Sequence, residues 1–141
     1  MSRRHNNWPE KMNEAIDRHR ATPFAWGTSD CCLFACDVIL ETTGIDPGAD
    51  LRGAYASRLG AARVLKRLGG VEAIAEARCT EHGFAELPSV SFAQRGDVVL
   101  LDTPREGPAL GICVGSRAAF MGPNGLEFVL VSNCRRAWRV E

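Results

Sequence analysis

The sequence predicts an α+β fold, and three observations carry that expectation. Apolar residues in the first half recur at helical spacing. The second half collects short runs rich in valine, leucine and isoleucine between glycine-containing turns. The two kinds of segment do not alternate, so helices packed on a small antiparallel sheet or barrel are expected rather than βαβ units. The chain has 141 residues, the size of one domain. Its expected parts are an N-terminal helix over 1–22, a helical half over 23–83 and a β half over 90–141.

Trp8, Met12 and Ile16 recur every fourth residue and give the first helix one core-facing stripe. Asn7 is its expected cap, with Pro9 in the first turn and Glu10 three positions on. Thr22-Pro23 should end it. A second helix runs from Cys31 or Cys32 to about Thr43, with Ser29 or Asp30 as N-cap and Gly44 at the stop. "LGAARVLKRLGG" predicts a third, short helix closed by Gly69-Gly70, with Arg63 and Arg67 on one face. "VEAIAEARCTEHG" predicts a fourth, ending near Gly83. "RGDVVLLD" is a turn and a strand, and its Arg95-Gly96-Asp97 is read as turn geometry rather than an adhesion motif. "ALGICVG" and "AAFMG" are strands joined around Gly115-Ser116; "PNGLEFVLV" and "RRAWRV" complete the set.

Composition excludes some functions. Seventeen basic and seventeen acidic residues cancel, so nothing pulls the chain generally toward nucleic acid, and no nucleic-acid partner is expected. Arg135, Arg136 and Arg139 around Trp138 are read as a solvated strand face with the tryptophan anchoring the terminus, or an interface anchor in an assembly. No apolar run approaches the roughly 20 residues that span a bilayer, and membrane insertion is not expected. Basic residues near the N-terminus are not followed by an apolar core, so no secretory signal is read there. Folding in a bacterial-type cytosol is the expectation.

Six cysteines are present, at 31, 32, 36, 79, 113 and 134. Without a secretory context they are read as reduced, mostly buried small hydrophobes. Cys32 and Cys36 share a helix face, and Cys31 points elsewhere. The spacing does not resemble zinc knuckles, and neither a metal nor another cofactor is expected. Cys31 stands apart. A thiol at a helix N-terminus meets backbone N–H groups and the positive end of the dipole, which favour thiolate. The same N–H groups can stabilise an oxyanion. The alternative is a cysteine simply packed under the Trp26-Gly27 turn.

"FAWGTSDC" before an apolar helix, "RGDVVLL" and "ALGICVG" together resemble the NlpC-type cell-wall peptidases, which are papain-like. The resemblance implies that fold and makes Cys31 the counterpart of the nucleophile. It places the catalytic histidine on Ala109 and the orienting residue on Met121 or Gly122, so two of three roles are vacant. A base takes the thiol proton, and its conjugate acid protonates an amine leaving group. Of the three histidines, His5 is read as part of a frayed terminus, His19 as solvated on the first helix and His82 as a helix-end residue. His82 is the candidate base, by an unfamiliar geometry.

A second resemblance spans roughly Trp8 to Val140, through "DCCLFA", "RGAY" and "AWRV": small proteins encoded among tail genes of tailed phages and prophages, themselves similar to NlpC-type domains. It implies a structural component of a phage tail, at or near the tip, made in the bacterial host cytoplasm and carried in the virion. Its partners would be hub, distal-tail or tip proteins, with the host cell wall a further contact. The competing classes are an active peptidoglycan cysteine hydrolase using Cys31, and a cysteine-ligated metal site.

Overall fold

The computed structural model describes residues 2–104 and 106–141. Four helices precede five strands: α1 (Trp8–Ala21), α2 (Cys31–Thr43), α3 (Arg58–Arg67), α4 (Val71–Glu81), β1 (Val98–Thr103), β2 (Gly107–Cys113), β3 (Arg117–Gly122), β4 (Gly125–Leu130) and β5 (Arg136–Trp138). The sheet is antiparallel, in the order β4-β3-β2-β1-β5. The α+β expectation therefore holds, with an open sheet.

Met12, Ala15 and Ile16 of α1 are buried, and Trp8 packs on the same core. Asn7 makes no side-chain capping bond. The start is set instead by Pro9 and by the Trp8 N–H, which donates to the His5 carbonyl at 3.0 Å. The helix ends where Thr22 turns extended before Pro23. Helix α2 is apolar on most sides because it is enclosed: it touches α1, β2 and β3. Its Phe34 and Val38 are fully buried, each stabilising the fold by roughly 1.5–3 kcal/mol. At its C-terminus the Gly44 N–H closes on the Leu40 carbonyl at 2.8 Å.

Strand residues divide by parity. Val98, Leu100, Leu110, Ile112, Ala119 and Met121 join the core under the helices. Val99, Ala109, Cys113, Ala118 and Phe120 face the other side and build a second core with Val131, Cys134 and Ala137. That face is closed partly by a 3-10 turn, Val131–Asn133, which ends β4 one residue before the predicted run "VLV" does.

The termini meet at Asp97, which is fully buried. Its carboxylate accepts from the Gln94 and Val140 N–H groups at 2.8 and 3.1 Å and from the Arg4 and Arg139 guanidinia, each at 3.0 Å. The Arg-Gly-Asp stretch is thus a turn whose aspartate is structural. Arg135 and Arg136 are not a free basic face either. Arg135 pairs with Glu72 and Asp102, and Arg136 with Glu72, Glu76 and Glu86 while lying 4.8 Å over the buried Trp138 ring.

Candidate functional site

The site is organised by Asp30, the N-cap of α2. One carboxylate oxygen accepts from the Leu33 N–H at 3.0 Å; the other accepts from the Gly27 N–H at 2.9 Å and the Tyr55 hydroxyl at 2.8 Å. Three donors therefore hold a fully buried carboxylate. Burial, then Asp30, pushes the Tyr55 hydroxyl far up, so it stays a donor. Gly27 has φ +84°, and a Cβ there would stand 2.0 Å from the Tyr55 carbonyl oxygen, so only glycine fits the close approach. This explains the Trp-Gly-x-x-Asp-Cys order: the turn is pinned to Tyr55 and to its own helix start. Trp26, edge-on to Phe24 at 4.8 Å, is left to form a wall beside Cys31.

Cys31 is the first residue of α2 and is half-buried. Its sulfur lies beside the Cys32 thiol and near the Leu110 and Cys32 backbone N–H groups. The Cys32 thiol contributes most, and together these donors lower the Cys31 pKa against burial and the Asp30 charge. The same bond and burial drive the Cys32 thiol well up, so Cys31 ionises first.

Strand β2 supplies the opposite wall. It pairs with β1 from Gly107 to Ile112 but with β3 only at Ile112 and Cys113. Below that point β2 and β3 diverge and open a cleft of about 550 Å³. Cys31, Ala109, Met121 and Gly122 all line it, so the structure brings together the positions sequence comparison had singled out. Phe24, Trp26, Leu65, Leu101, Phe120 and Val129 make its apolar walls. Arg58, Glu106 and Glu127 are its charged residues, and no described lining residue is a histidine.

His82 lies outside this cleft. It follows the last turn of α4, its carbonyl accepts from Arg3, and its ring lies against Phe84 at 6.1 Å. Phe84 borders the opposite, core side of α2. The expectation that His19 is solvated is corrected. His19 is buried between α1 and α2, with Nδ1 3.0 Å from Ser29 Oγ, Nε2 2.7 Å from Asp37 and its ring edge-on to Phe34. The signal was present: position 19 continues the Met12, Ile16 stripe. Ser29 is itself buried, so this Ser-His-Asp array is an interhelix clamp.

Cys32 and Cys36 face inward and, with Cys79, line a small apolar cavity of about 30 Å³. Burial pushes Cys36 and Cys79 each up to about 12. Among the described residues no group of three or more His, Cys, Asp or Glu side chains is arranged to hold a metal ion.

Helices packed on one antiparallel sheet give a fold similar to that of an NlpC/p60 domain. The crystal structure of the NlpC/p60 domain of the peptidoglycan hydrolase SagA superposes with a TM-score of 0.58 at 19% identity, covering 92% of this chain and 96% of that one. At that identity the likeness is one of fold. Residues 3–140 match the family described as a domain of unknown function, DUF6950, and the chain belongs to it. No curated protein matches the sequence.

Proposed function

We propose that this protein is a structural component of a bacteriophage tail, at or near its tip, built on an NlpC/p60-like scaffold without the hydrolase's base. One observation supports the loss of hydrolysis: Ala109, Met121 and Gly122 line the cleft with Cys31, and no described lining residue carries an imidazole. Without a positioned acid, an amine leaving group must depart unprotonated, a loss generally worth several orders of magnitude in rate. The tail assignment is supported by the resemblance through "DCCLFA", "RGAY" and "AWRV". Hub, distal-tail or tip proteins are its proposed partners, and the virion its destination.

A second reading, a cell-wall hydrolase using Cys31, is favoured by one feature: Cys31 lines the cleft at the start of α2 with its pKa lowered, chiefly by the Cys32 thiol. Mass spectrometry of purified virions, together with peptidoglycan digestion, separates the two. The proposal expects the chain in virions and no soluble muropeptide release. Absence from virions, or release that Cys31→Ala abolishes, rejects it. Ala109→His sharpens the test by placing an imidazole on the wall facing the thiol. It should raise the rate of Cys31 alkylation near pH 6 by about tenfold.

A further inference from the structure

We propose that β4 pairs with β4 of a second copy of this chain, antiparallel and centred on Phe128, so that two sheets become one. The pairing is independent of the tail assignment and of Cys31. The two edges of the sheet differ. Strand β5 has three residues and is covered: the Leu87 N–H donates to the Ala137 carbonyl and the Arg139 N–H to the Ala85 carbonyl, both at 2.8 Å. Strand β4 has six residues and ends the sheet with no strand beyond it. Its register with β3 is unbroken from Gly125 to Leu130. It contains no proline, lysine or bulge, the devices that protect an open edge.

Which backbone groups are open follows from the bonds around β3. The Val114 N–H donates to the Arg117 carbonyl and the Val131 N–H to the Ser116 carbonyl, each at 2.9 Å. Arg117 and Ala119 therefore bond toward β2, and Ala118 and Phe120 toward β4, where Val129 and Glu127 answer them. The N–H and C=O groups of Leu126, Phe128 and Leu130 point outward. Among the described residues their one partner is the Cys134 thiol, 4.0 Å from the Leu130 carbonyl.

The side chains select the occupant. Outward residues must face outward residues in hydrogen-bonded pairs. Centred on Phe128, Leu126 faces the second copy's Leu130, and Phe128 faces its own counterpart, so every outward residue is paired. The exposed Leu130 gains a leucine neighbour. Arg20, over the Phe128 ring on that face, already has Asp17 beside it at 3.4 Å. On the other face Glu127, the strand's single charge, falls opposite the second copy's Val129. Centring on Glu127 instead would set two carboxylates directly opposite, which is destabilising. The twofold axis stands perpendicular to the sheet, so both clefts, each lined by Glu127 and Val129, open on one side.

Sedimentation equilibrium of the full chain should show a dimer at about 100 μM, within reach of a small interface. Leu130→Pro is the blocking variant. Leu130 has φ −58°, the value proline imposes, and its N–H has no partner among the described residues. The fold should therefore survive, read by unchanged circular dichroism, while the ring occupies the edge. The dimer dissociation constant should rise about tenfold or more. Register is read by mixing Leu126→Cys with Leu130→Cys under copper-phenanthroline oxidation. The mixture should form a disulfide dimer that neither variant forms alone, because positions 126 and 130 stand opposite with Cα atoms about 5.5 Å apart. A chain that stays monomeric at about 100 μM overturns the proposal. A dimer that a folded Leu130→Pro leaves unweakened, or cross-linking of either variant alone that matches the mixture, overturns it by moving the interface elsewhere. If Leu130→Pro fails to fold, the mixed cross-link decides alone.

Discussion

Cys31 and Cys32 are neighbours in the chain, yet they belong to different regions of the molecule. Cys31 opens onto the cleft between α2 and the diverging strands; Cys32 points into the core against Cys36 and Cys79. A single residue step separates a thiol whose pKa is lowered from one whose pKa is raised well above its ordinary value, and Cys36, about a turn further on, is pushed up by burial. The difference is geometric. The N-cap ends the helix at the cleft edge, so the first side chain escapes the enclosure that its successors enter. Reactivity and stability are thereby divided between the two sides of α2, and substitutions should separate them.

The largest effect is expected at Asp30, which holds both sides in place. Asp30→Ala removes the partner of the Leu33 and Gly27 N–H groups and of the buried Tyr55 hydroxyl. Unfolding in urea should show a loss of about 2–4 kcal/mol. A loss under 1 kcal/mol would mean that the cap does not organise the site. Next comes Cys32→Ser, which puts a hydroxyl among apolar core groups and should cost about 1–3 kcal/mol. The same substitution should slow Cys31 alkylation only modestly, since a serine hydroxyl can take the place of the Cys32 thiol, the largest cause of the lowered Cys31 pKa, as donor.

Much of this division was legible in the sequence. Period and turn chemistry locate the four α-helices and five strands of the described residues, though not the two 3-10 turns, because each amphipathic stripe and strand run is local information. Cys31 at a helix start follows from Asp30 and the apolar run after it. What was not legible is what distant residues do to local ones. Arg135 and Arg136 look like an open basic end until α4 and the segment that follows it bring Glu72, Glu76 and Glu86 to them. His19 looks like a surface histidine unless its place in the apolar stripe is weighed above its polarity. The divergence of β2 from β3, on which the cleft depends, leaves only the trace of Gly111, where a Cβ would stand 2.5 Å from the Phe120 ring. That glycine lets the strands meet above the cleft but does not announce where they part.

A third face of α2 carries Asp37, paired with His19 and Arg52. Burial would raise this carboxyl, but the bonds from His19 and Arg52 bring it below its ordinary value. Its stabilisation is therefore present above the unfolded-state value of about 3.9 and lost as pH falls through the lower folded value. Asp37→Asn should destabilise by on the order of 1 kcal/mol at neutral pH, and the gap from the parent should close as the solution becomes strongly acidic. A gap independent of pH would assign the loss to packing rather than charge.

The smallest stability effect, and the one that tests the comparison most directly, belongs to Cys31→Ser. Half-buried at the cleft edge, the new hydroxyl replaces the sulfur without entering the core. Unfolding free energy should change by no more than about 0.5 kcal/mol. Labelling with iodoacetamide under native conditions should nevertheless disappear at neutral pH. In the parent, labelling should occur at Cys31 alone, with a rate that climbs through a midpoint below the free-thiol value of about 8.5. Labelling at Cys36 or Cys79 in the folded protein would show that α2 opens on its core side, because thiols pushed up to about 12 carry almost no thiolate at neutral pH. A chain that loses both stability and labelling on this one substitution would place Cys31 in the core with its neighbour, and the division between the two sides of α2 would be gone.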